Sequence, residues 1–247
     1  ENMKYSIFFI FIIILTTSAP AAAESVRYQV KGQAYQGYYT SPATEAPLVL
    51  LIHDWDGLTA YEIKRAEMLA DMGYAVFAAD LFGAGVRPTK VEDKRQHTGE
   101  LYKDRQKMRN LLYAALETAK AKGADIQNAV AMGYCFGGSA VLELARSGAD
   151  LKGFVTFHGG LSSPKGQDYS KAKGRMLILH GSADSHITLD DFANLAKQFE
   201  EYEIAHEMIT YGGAPHAFTV FGTQSYRKDA DQKSWRRFER FLNATLN

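Results

Sequence analysis

Short, continuous apolar runs alternate with amphipathic segments along most of this chain. The first such runs are PLVLLIHD at 47–54, YAVFAADL at 74–81 and NAVAMGYC at 128–135. Runs of this length without polar alternation are typical of strands that are buried on both faces of a sheet. Because helical segments separate them, the sequence predicts an α/β fold with a mostly parallel central sheet and helices on both faces.

The same alternation continues to the end of the chain. Three more strands are predicted at 153–159, 175–184 and 205–212, and helices are predicted at 59–74, 100–123, 138–148, 189–201 and 231–246. The segment at 100–123 carries Leu101, Met108 and Leu112 on one face, which predicts a single long helix. Residues 26–42 alternate with period two and predict an antiparallel pair of strands at the sheet edge.

The first two dozen residues differ in composition from the rest. Lys4 precedes the apolar segment YSIFFIFIIIL, and the small residues of TTSAPAAA follow before Glu24. This order predicts a secretory signal peptide over 1–23, and a single domain over 24–247. A permanent membrane anchor is the less favoured alternative, because the apolar segment is far shorter than the ~20 residues that span a bilayer. We therefore expect an exported protein, periplasmic or secreted, without a stable membrane anchor.

The charge balance bears on the kind of partner. Lysine and arginine together number 28, and so do aspartate and glutamate, so the formal net charge is zero. Such a chain has no overall electrostatic attraction for nucleic acid or anionic membrane. We expect a small-molecule substrate as the partner, no nucleic acid, and a monomer or homodimer.

The single cysteine, Cys135, lies in the segment GYCFGG, directly after a predicted strand. This segment fits the nucleophile-elbow pattern G-x-Nuc-x-G, in which a strand turns sharply into a helix and raises the nucleophile on strained backbone. Glycines at 133 and 137 would remove the side chains that otherwise collide in that turn. The positive end of the following helix would favour a thiolate. An inert, buried thiol is the alternative for a lone cysteine.

Two further residues follow in the order of a hydrolase triad. Asp184 lies in LHGSADSHI beyond a later strand, and His216 lies in GGAPHAF beyond the last strand. Nucleophile, acid and histidine in this order are typical of α/β-hydrolases. His216 would take the thiol proton or hold the thiolate as an ion pair, while Asp184 fixes its tautomer. The alternatives are a solvated loop carboxylate and a turn histidine after proline.

Acyl transfer also needs donors for an oxyanion. One backbone N–H normally comes from the residue after the nucleophile, and one from the loop after an earlier strand. Phe136 and Trp55 stand at these places, because HDWDGL puts Trp55 at the carboxyl end of PLVLLI. A role for Trp55 as pocket wall is the alternative.

These segments resemble the dienelactone hydrolase family of α/β-hydrolases over nearly the whole predicted mature chain. The matching pieces are LIHDWDGL, GYAVFAADLFG, GYCFGG, FHGG, LHGSAD and PHAF. The resemblance implies the α/β-hydrolase fold, a carboxylic ester hydrolase activity and a Cys-His-Asp triad formed by Cys135, His216 and Asp184. It also implies that Asp54 takes the place of a family glutamate that interacts with the resting thiol, although its side chain is shorter.

The family's arginines that grip a substrate carboxylate are missing at their corresponding positions. Those positions are Val220, four residues after the predicted catalytic histidine, and Ala84, with Arg87 slightly beyond. Because a buried carboxylate without a cationic partner is costly, this departure predicts a neutral substrate. Arg87 would overturn that expectation if its loop folded back over the site.

The other histidines near strand ends lack metal-ligand spacing; they are His53, His158, His180 and His186. Local hydrogen bonds are the favoured interpretation for them. We expect His158 to line the substrate pocket together with Asp54 and Trp55. GYCFGG lacks the lysine and hydroxyl of a phosphate-binding loop. The sequence therefore predicts no cofactor and no metal.

The leading functional interpretation is a cofactor-independent hydrolase of a small ester, lactone or thioester that acts through an acyl-cysteine intermediate. The alternative from another class is a non-catalytic small-molecule-binding protein on the same fold. The triad order argues against it, because a binding protein has no need of Asp184. A redox role for Cys135 is the third possibility, but the chain contains no second cysteine to resolve a sulfenic acid.

Overall fold

Eight strands form one sheet in the computed structural model, which describes residues 21–246. In chain order the strands are β1 (Ala21–Val30), β2 (Gln33–Ser41), β3 (Pro47–Ile52), β4 (Ala75–Ala79), β5 (Asp125–Tyr134), β6 (Gly153–Phe157), β7 (Arg175–Gly181) and β8 (His206–Tyr211). Their spatial order is β1-β2-β4-β3-β5-β6-β7-β8. Neighbours pair in parallel from β4 to β8, whereas β1 with β2 and β2 with β4 are antiparallel. The predicted mostly parallel sheet with an antiparallel edge pair is confirmed.

Helices cover both faces of this sheet. They are α1 (Ala60–Asp71), α2 (Val91–Lys103), α3 (Arg105–Ala121), α4 (Phe136–Arg146), α5 (Leu189–Glu201) and α6 (Lys228–Leu246). Alternate residues of β3 enter two separate apolar clusters, with Leu50 in one and Leu51 in the other. The first cluster contains side chains of α3, α4 and α5, and the second contains those of α1 and α6. The strands are therefore buried on both faces, as their continuous apolar runs predict.

The prediction of one long helix over 100–123 is wrong. The chain forms α2 and α3 instead, and Asp104 between them leaves the helical conformation with φ −110° and ψ 79°. Its side chain accepts a hydrogen bond of 2.8 Å from the Lys107 amide, which caps α3. Aspartate stabilises a helix start in this way, and here the cap outweighs the continuous apolar periodicity.

The predicted signal peptide lies almost entirely outside the described residues. Only its last three residues, 21–23, are described, and they begin β1. Among the helices at 21–246, none combines the length and apolar character needed to cross a membrane.

The parallel strands end at one edge of the sheet, and the predicted site residues follow those ends. Cys135 comes directly after β5, His158 directly after β6, and Asp184 three residues after β7. His216 lies in the loop after β8. Ligands of open α/β sheets bind beyond this edge, so the fold places the predicted site where such sites occur.

Candidate active site

Cys135 stands on a strained turn between β5 and α4. Its backbone has φ 51° and ψ −113°, a left-handed conformation that costs a non-glycine residue energy. A Cβ on Gly133 would lie 2.3 Å from the Gly137 carbonyl, and a Cβ on Gly137 would lie 2.3 Å from the Ile52 carbonyl oxygen. The sharp strand-to-helix turn predicted for GYCFGG is present, and only glycine fits at these two positions.

His216 links the thiol to a carboxylate. Its Nε2 lies 3.1 Å from Sγ of Cys135, and its Nδ1 lies 2.7 Å from Oδ2 of Asp184. The other oxygen of Asp184 accepts hydrogen bonds of 2.9 and 3.0 Å from the amides of His186 and Ile187. Because a carboxylate only accepts, Nδ1 of His216 carries a proton and Nε2 faces the sulfur. The three residues predicted from chain order therefore form one hydrogen-bonded chain.

The electrostatics of this chain favour a charged histidine. Burial alone would lower the pKa of His216, but its hydrogen bonds to Asp184 and Cys135 outweigh burial and raise that pKa to about 10. Burial would likewise raise the pKa of Asp184, but its hydrogen bonds with His216 and the Ile187 amide hold that pKa below its usual value. An imidazolium beside the sulfur stabilises a thiolate, which is the nucleophilic form of cysteine.

His158 lies behind His216. It is fully buried, and its ring packs edge-to-face on the His216 ring with centroids 5.4 Å apart. Its Nε2 lies 2.8 Å from Oγ1 of Thr219. Burial and the neighbouring His216 lower its pKa well below the usual value, so this histidine is neutral. The structure packs the buried His158 ring against His216, and its predicted place in the pocket wall stays a prediction.

The amides of Phe136 and Trp55 are the two predicted oxyanion donors. Phe136 is the first residue of α4, and Trp55 lies in the loop after β3. Within residues 21–246, neither amide donates to a carbonyl or side chain. The Trp55 ring lies under Nζ of Lys94, 5.0 Å from the ring centroid, and the same ammonium is 2.5 Å from the Asp56 carboxylate. Helix α2 thus braces the loop that presents the Trp55 amide, a contact that the sequence did not predict.

Asp54 belongs to a buried pair of carboxyl groups. Its amide donates to Oε1 of Glu62 at 3.4 Å, and its Oδ1 accepts from the Asp56 amide at 2.8 Å. Burial raises the pKa of Asp54 to about 6, and burial together with the nearby Asp54 raises that of Glu62 to about 8. No contact joins the Asp54 carboxylate to Cys135 in the described part of the chain, so a role as thiol partner stays a prediction.

Glu62 itself was missed by the sequence reasoning, although a signal for it exists. Its Oε2 accepts from both the amide and the hydroxyl of Thr59 at 2.8 Å, and Thr59 caps α1. The segment TAYE therefore forms a capping box, a pattern that is readable from sequence. The cap fixes the start of α1 against the loop that carries Asp54 and Trp55.

Arg87 makes three polar contacts with its neighbours. Its Nε donates to the carbonyl of Leu58, its Nη1 donates to the carbonyl of Val86 at 2.6 Å, and Nη1 lies 3.7 Å from the Asp80 carboxylate. The guanidinium therefore braces the loops after β3 and β4.

The rings of His53 and His180 make local hydrogen bonds. The Leu81 amide donates to Nε2 of His53 at 3.1 Å, so the Nδ1 of that ring carries the proton that it donates to the Asp54 carbonyl at 2.6 Å. His180 Nε2 donates to the Ile187 carbonyl at 3.0 Å. No group of three or more histidine, cysteine or acidic side chains within 21–246 is arranged to hold a metal ion.

Known proteins resemble this chain in sequence. Residues 35–246 match the model of the dienelactone hydrolase family. A Synechocystis relative named "Putative carboxymethylenebutenolidase" is 24% identical over 232 residues, a match that covers 85% of this chain and 92% of the relative. A Bradyrhizobium relative named "Probable 2-oxo-3-(5-oxofuran-2-ylidene)propanoate lactonase" is 25% identical over 228 residues, which cover 87% of this chain and 91% of that protein.

Solved structures resemble it in fold. The structure titled m3DLH superimposes with a TM-score of 0.86 at 30% identity, covering 92% of this chain and 99% of its own. A dienelactone hydrolase-like promiscuous phosphotriesterase from metagenomic libraries gives a TM-score of 0.85 at 28% identity, with the same coverage of 92% and 99%. The protein therefore belongs to the dienelactone hydrolase family, whose members are hydrolases with the α/β-hydrolase fold.

Proposed function

We propose that this protein is a cofactor-independent hydrolase of small carboxylic esters, lactones or thioesters. In this proposal Cys135 is the nucleophile, His216 moves the proton, and Asp184 orients His216. One observation carries it: the imidazole stands between sulfur and carboxylate, with Nε2 3.1 Å from Sγ and Nδ1 2.7 Å from Oδ2. This is the arrangement in which a histidine both activates a nucleophile and returns its proton to a leaving group.

The first half of the reaction forms an acyl-cysteine. The Sγ thiolate attacks the carbonyl carbon, and the carbonyl electron pair moves to oxygen. The amides of Phe136 and Trp55 are available to hold that oxyanion. The intermediate then collapses, the bond from carbon to the leaving oxygen or sulfur breaks, and the His216 imidazolium gives its Nε2 proton to the leaving group.

The second half releases the acid. Neutral His216 takes a proton from water through Nε2, and the resulting hydroxide attacks the thioester carbon. Collapse of this intermediate breaks the carbon–sulfur bond and regenerates the thiolate–imidazolium pair. In a lactone, the alcohol and the acid that are released stay within one molecule.

A non-catalytic binding protein is the competing assignment. A binding protein would need a pocket, but it would not need the Asp184 carboxylate at Nδ1 of His216. Asp184 accepts two backbone hydrogen bonds and one from His216, so its position is fixed by three donors. Such a costly arrangement of a buried carboxylate is expected where the histidine must cycle between charged and neutral states.

We propose a substrate that is neutral next to its scissile carbonyl. The family's clamp positions hold Val220 and Ala84, and the Arg87 guanidinium is bonded to Leu58, Val86 and Asp80. A substrate carboxylate bound next to these clamp positions would lose its hydration without gaining a cationic partner.

The test is a screen of the mature protein against short aryl esters, lactones and thioesters, with Cys135→Ala as the control. We expect turnover by the wild type and a loss of at least about a thousandfold in the variant, because the nucleophile is missing. Intact-mass measurement after rapid quenching should detect one acyl adduct on the wild type. Retention of more than about a tenth of the rate by Cys135→Ala would contradict covalent catalysis.

We also propose that residues 1–23 are a cleaved signal peptide and that 24–247 form one exported domain. The order of a lysine, an apolar core and small residues before Glu24 supports this. Mass spectrometry of protein from the exporting host should give an amino terminus near Glu24. Full-length protein in the membrane fraction would argue for an anchor instead.

A further inference from the structure

Three arginines surround one buried carboxylate on α4. The oxygens of Glu143 accept from Arg109 Nε at 2.7 Å, Arg146 Nη2 at 3.0 Å and Arg105 Nη1 at 3.4 Å, and the Glu143 side chain is fully buried. Burial would raise the pKa of Glu143, but Arg146 and Arg109 outweigh it and hold that pKa below its usual value. Three positive groups therefore face one negative group, and the cluster keeps excess positive charge.

Arg105 is the least satisfied of the three. Its Nε donates to the Tyr102 carbonyl at 2.9 Å, its bond to Glu143 is long, and its Nη2 has no partner within 21–246. By contrast, the Arg146 nitrogens all donate, to Gln167, Tyr169 and Glu143. The Arg105 side chain is 24% exposed, against 2% for Arg146. Arg105 thus keeps N–H donors and solvent access for a ligand.

A cavity of about 330 Å³ lies beside this guanidinium. We call it the Arg105 cavity; its lining residues are Tyr102, Arg105, Ser139, Arg146, Gly160 and Ser162. The Tyr102 hydroxyl donates to Oγ of Ser139 at 3.3 Å, and that oxygen donates to the Gly160 carbonyl at 3.2 Å. The cavity is lined by two guanidiniums and three hydroxyls, and the N–H donors that Arg105 keeps free are of the kind that binds carboxylates.

The Arg105 cavity begins one helical turn from the proposed nucleophile. Ser139 follows Cys135 by four residues on α4, and its amide donates to the Cys135 carbonyl at 3.3 Å. Four residues of helix rise by about 6 Å. The Tyr102 ring also packs on the Phe136 ring, with centroids 5.5 Å apart. The cavity therefore lies close to the proposed nucleophile along α4.

We propose that the Arg105 cavity is a subsite for a carboxylate at the far end of the substrate that is cleaved at Cys135. This inference rests on the proposed function and specifies its substrate class: neutral beside the scissile carbonyl and anionic about one helical turn away. The cation is Arg105, which occupies neither of the positions taken here by Val220 and Ala84. The proposed subsite therefore uses a different residue from those at the family's clamp positions.

The kinetic test compares matched neutral and anionic substrates. One pair is the 4-nitrophenyl ester of hexanoate against the mono-4-nitrophenyl ester of adipate, which places a carboxylate at the far end of the acyl chain. A second pair is the acetyl ester of methyl 4-hydroxybenzoate against that of 4-hydroxybenzoate, which places it on the leaving group. In at least one pair, Arg105→Gln should lower the anionic-to-neutral ratio of kcat/KM by about tenfold or more, because a charged hydrogen bond is lost.

Arg109→Gln is the matched control. Like Arg105→Gln, this substitution removes one positive charge that pairs with Glu143. Unlike Arg105, however, Arg109 does not line the Arg105 cavity. Its anionic-to-neutral ratio of kcat/KM should stay within about threefold of wild type, because Arg109 does not line the cavity where the carboxylate would bind. Arg105→Lys keeps the positive charge, so its anionic-to-neutral ratio of kcat/KM should lie between those of Arg105→Gln and the wild type. Thermal unfolding of all variants separates this effect from misfolding.

A binding measurement decides the subsite independently of turnover. Calorimetric titration of adipate into Cys135→Ala should show binding that Arg105→Gln abolishes and Arg109→Gln keeps. If wild type cleaves no ester, the proposed function fails, and this titration still tests the subsite. If neutral esters are cleaved but neither ratio nor adipate binding depends on Arg105, the subsite is overturned and the function stands. Arg105-dependent binding of inorganic phosphate without binding of adipate would also overturn it.

Discussion

Nε2 of His216 lies 3.1 Å from Sγ of Cys135, although 81 residues separate them along the chain. The two residues meet because β5 and β8 both end at the same edge of a parallel sheet. The raised pKa of His216, about 10, means that its ring is charged at neutral pH. The thiol and histidine therefore act as one unit, and this unit can be tested by its reactivity.

Alkylation of Cys135 by iodoacetamide should depend on His216 in acid. At pH 6 the imidazolium stabilises the thiolate, so wild-type protein should react quickly. His216→Ala lacks the imidazolium that favours the thiolate, so it should react at least about tenfold more slowly at pH 6, and the difference should shrink near pH 10, where His216 loses its proton. The rates are measured by mass spectrometry over time. A pH-independent ratio of the two rates would contradict the ion pair.

Replacement of Asp184 by asparagine should slow hydrolysis without unfolding the protein. The variant loses the negative charge that favours the His216 imidazolium, and its amide can hold the wrong tautomer. We expect kcat/KM for a neutral aryl ester to fall by about two to four orders of magnitude. Asp190→Asn is the control, since Asp190 is exposed on α5. Equal activity of Asp184→Asn and wild type would exclude the orienting role.

Two glycine substitutions should have opposite effects on stability. In Gly137→Ala the new Cβ would lie 2.3 Å from the Ile52 carbonyl oxygen, so the turn must shift. We expect a loss of about 2 kcal/mol or more in the free energy of unfolding. In Gly99→Ala, on α2, the Cβ meets no atom within 4 Å, and helix propensity should add about 0.5–1 kcal/mol. Urea unfolding measures both, and a stable Gly137→Ala would refute the crowding argument.

The buried Glu62 should make stability fall as pH rises. Its pKa is raised from 4.5 to about 8, first by burial and then by Asp54, so the folded state binds more protons than the unfolded state between these values. Stability is then lost on going from pH 4.5 to 8. Glu62→Gln cannot ionise, so its stability relative to wild type should improve by about 1 kcal/mol or more between pH 5 and pH 8.5. Urea unfolding at both pH values is the measurement.

The control for that experiment is Glu67→Gln, because Glu67 lies on the exposed side of the same helix beside Lys64. Its free energy of unfolding, relative to wild type, should be the same at pH 5 and pH 8.5. A similar pH dependence in both variants would mean that net charge, and not the buried carboxyl, causes the trend.

The strands and the triad order could be predicted because they depend on local signals. Apolar runs mark the strands, and the glycines of GYCFGG mark a crowded turn. The break at Asp104 could not be predicted in this way, since Leu101 and Met108 on either side are both buried and keep the helical period. An aspartate inside such a pattern can continue one helix or cap a second one. Which of the two occurs depends on the angle at which the segments before and after it pack on the rest of the protein.

The surroundings of the site could be predicted less well, because they depend on contacts between distant segments. Arg105 and Glu143 are 38 residues apart, and neither lies in a motif. His158 was correctly placed at a strand end, but its contacts with Thr219 and His216 join segments about 60 residues apart in the chain. The sequence thus predicts the proposed reacting groups. The groups proposed to select the substrate come together only through the packing of helices that are distant in the chain.

The backbone strain at Cys135 has a consequence for how such a site can change over time. Its φ of 51° belongs to a turn whose close packing requires glycine at 133 and 137, whichever side chain stands at 135. Any side chain at this position would therefore be raised to the same point beside His216. Cysteine and serine codons can differ by a single base, so one point mutation could exchange the proposed thiol nucleophile for a hydroxyl while the turn that presents it stays folded.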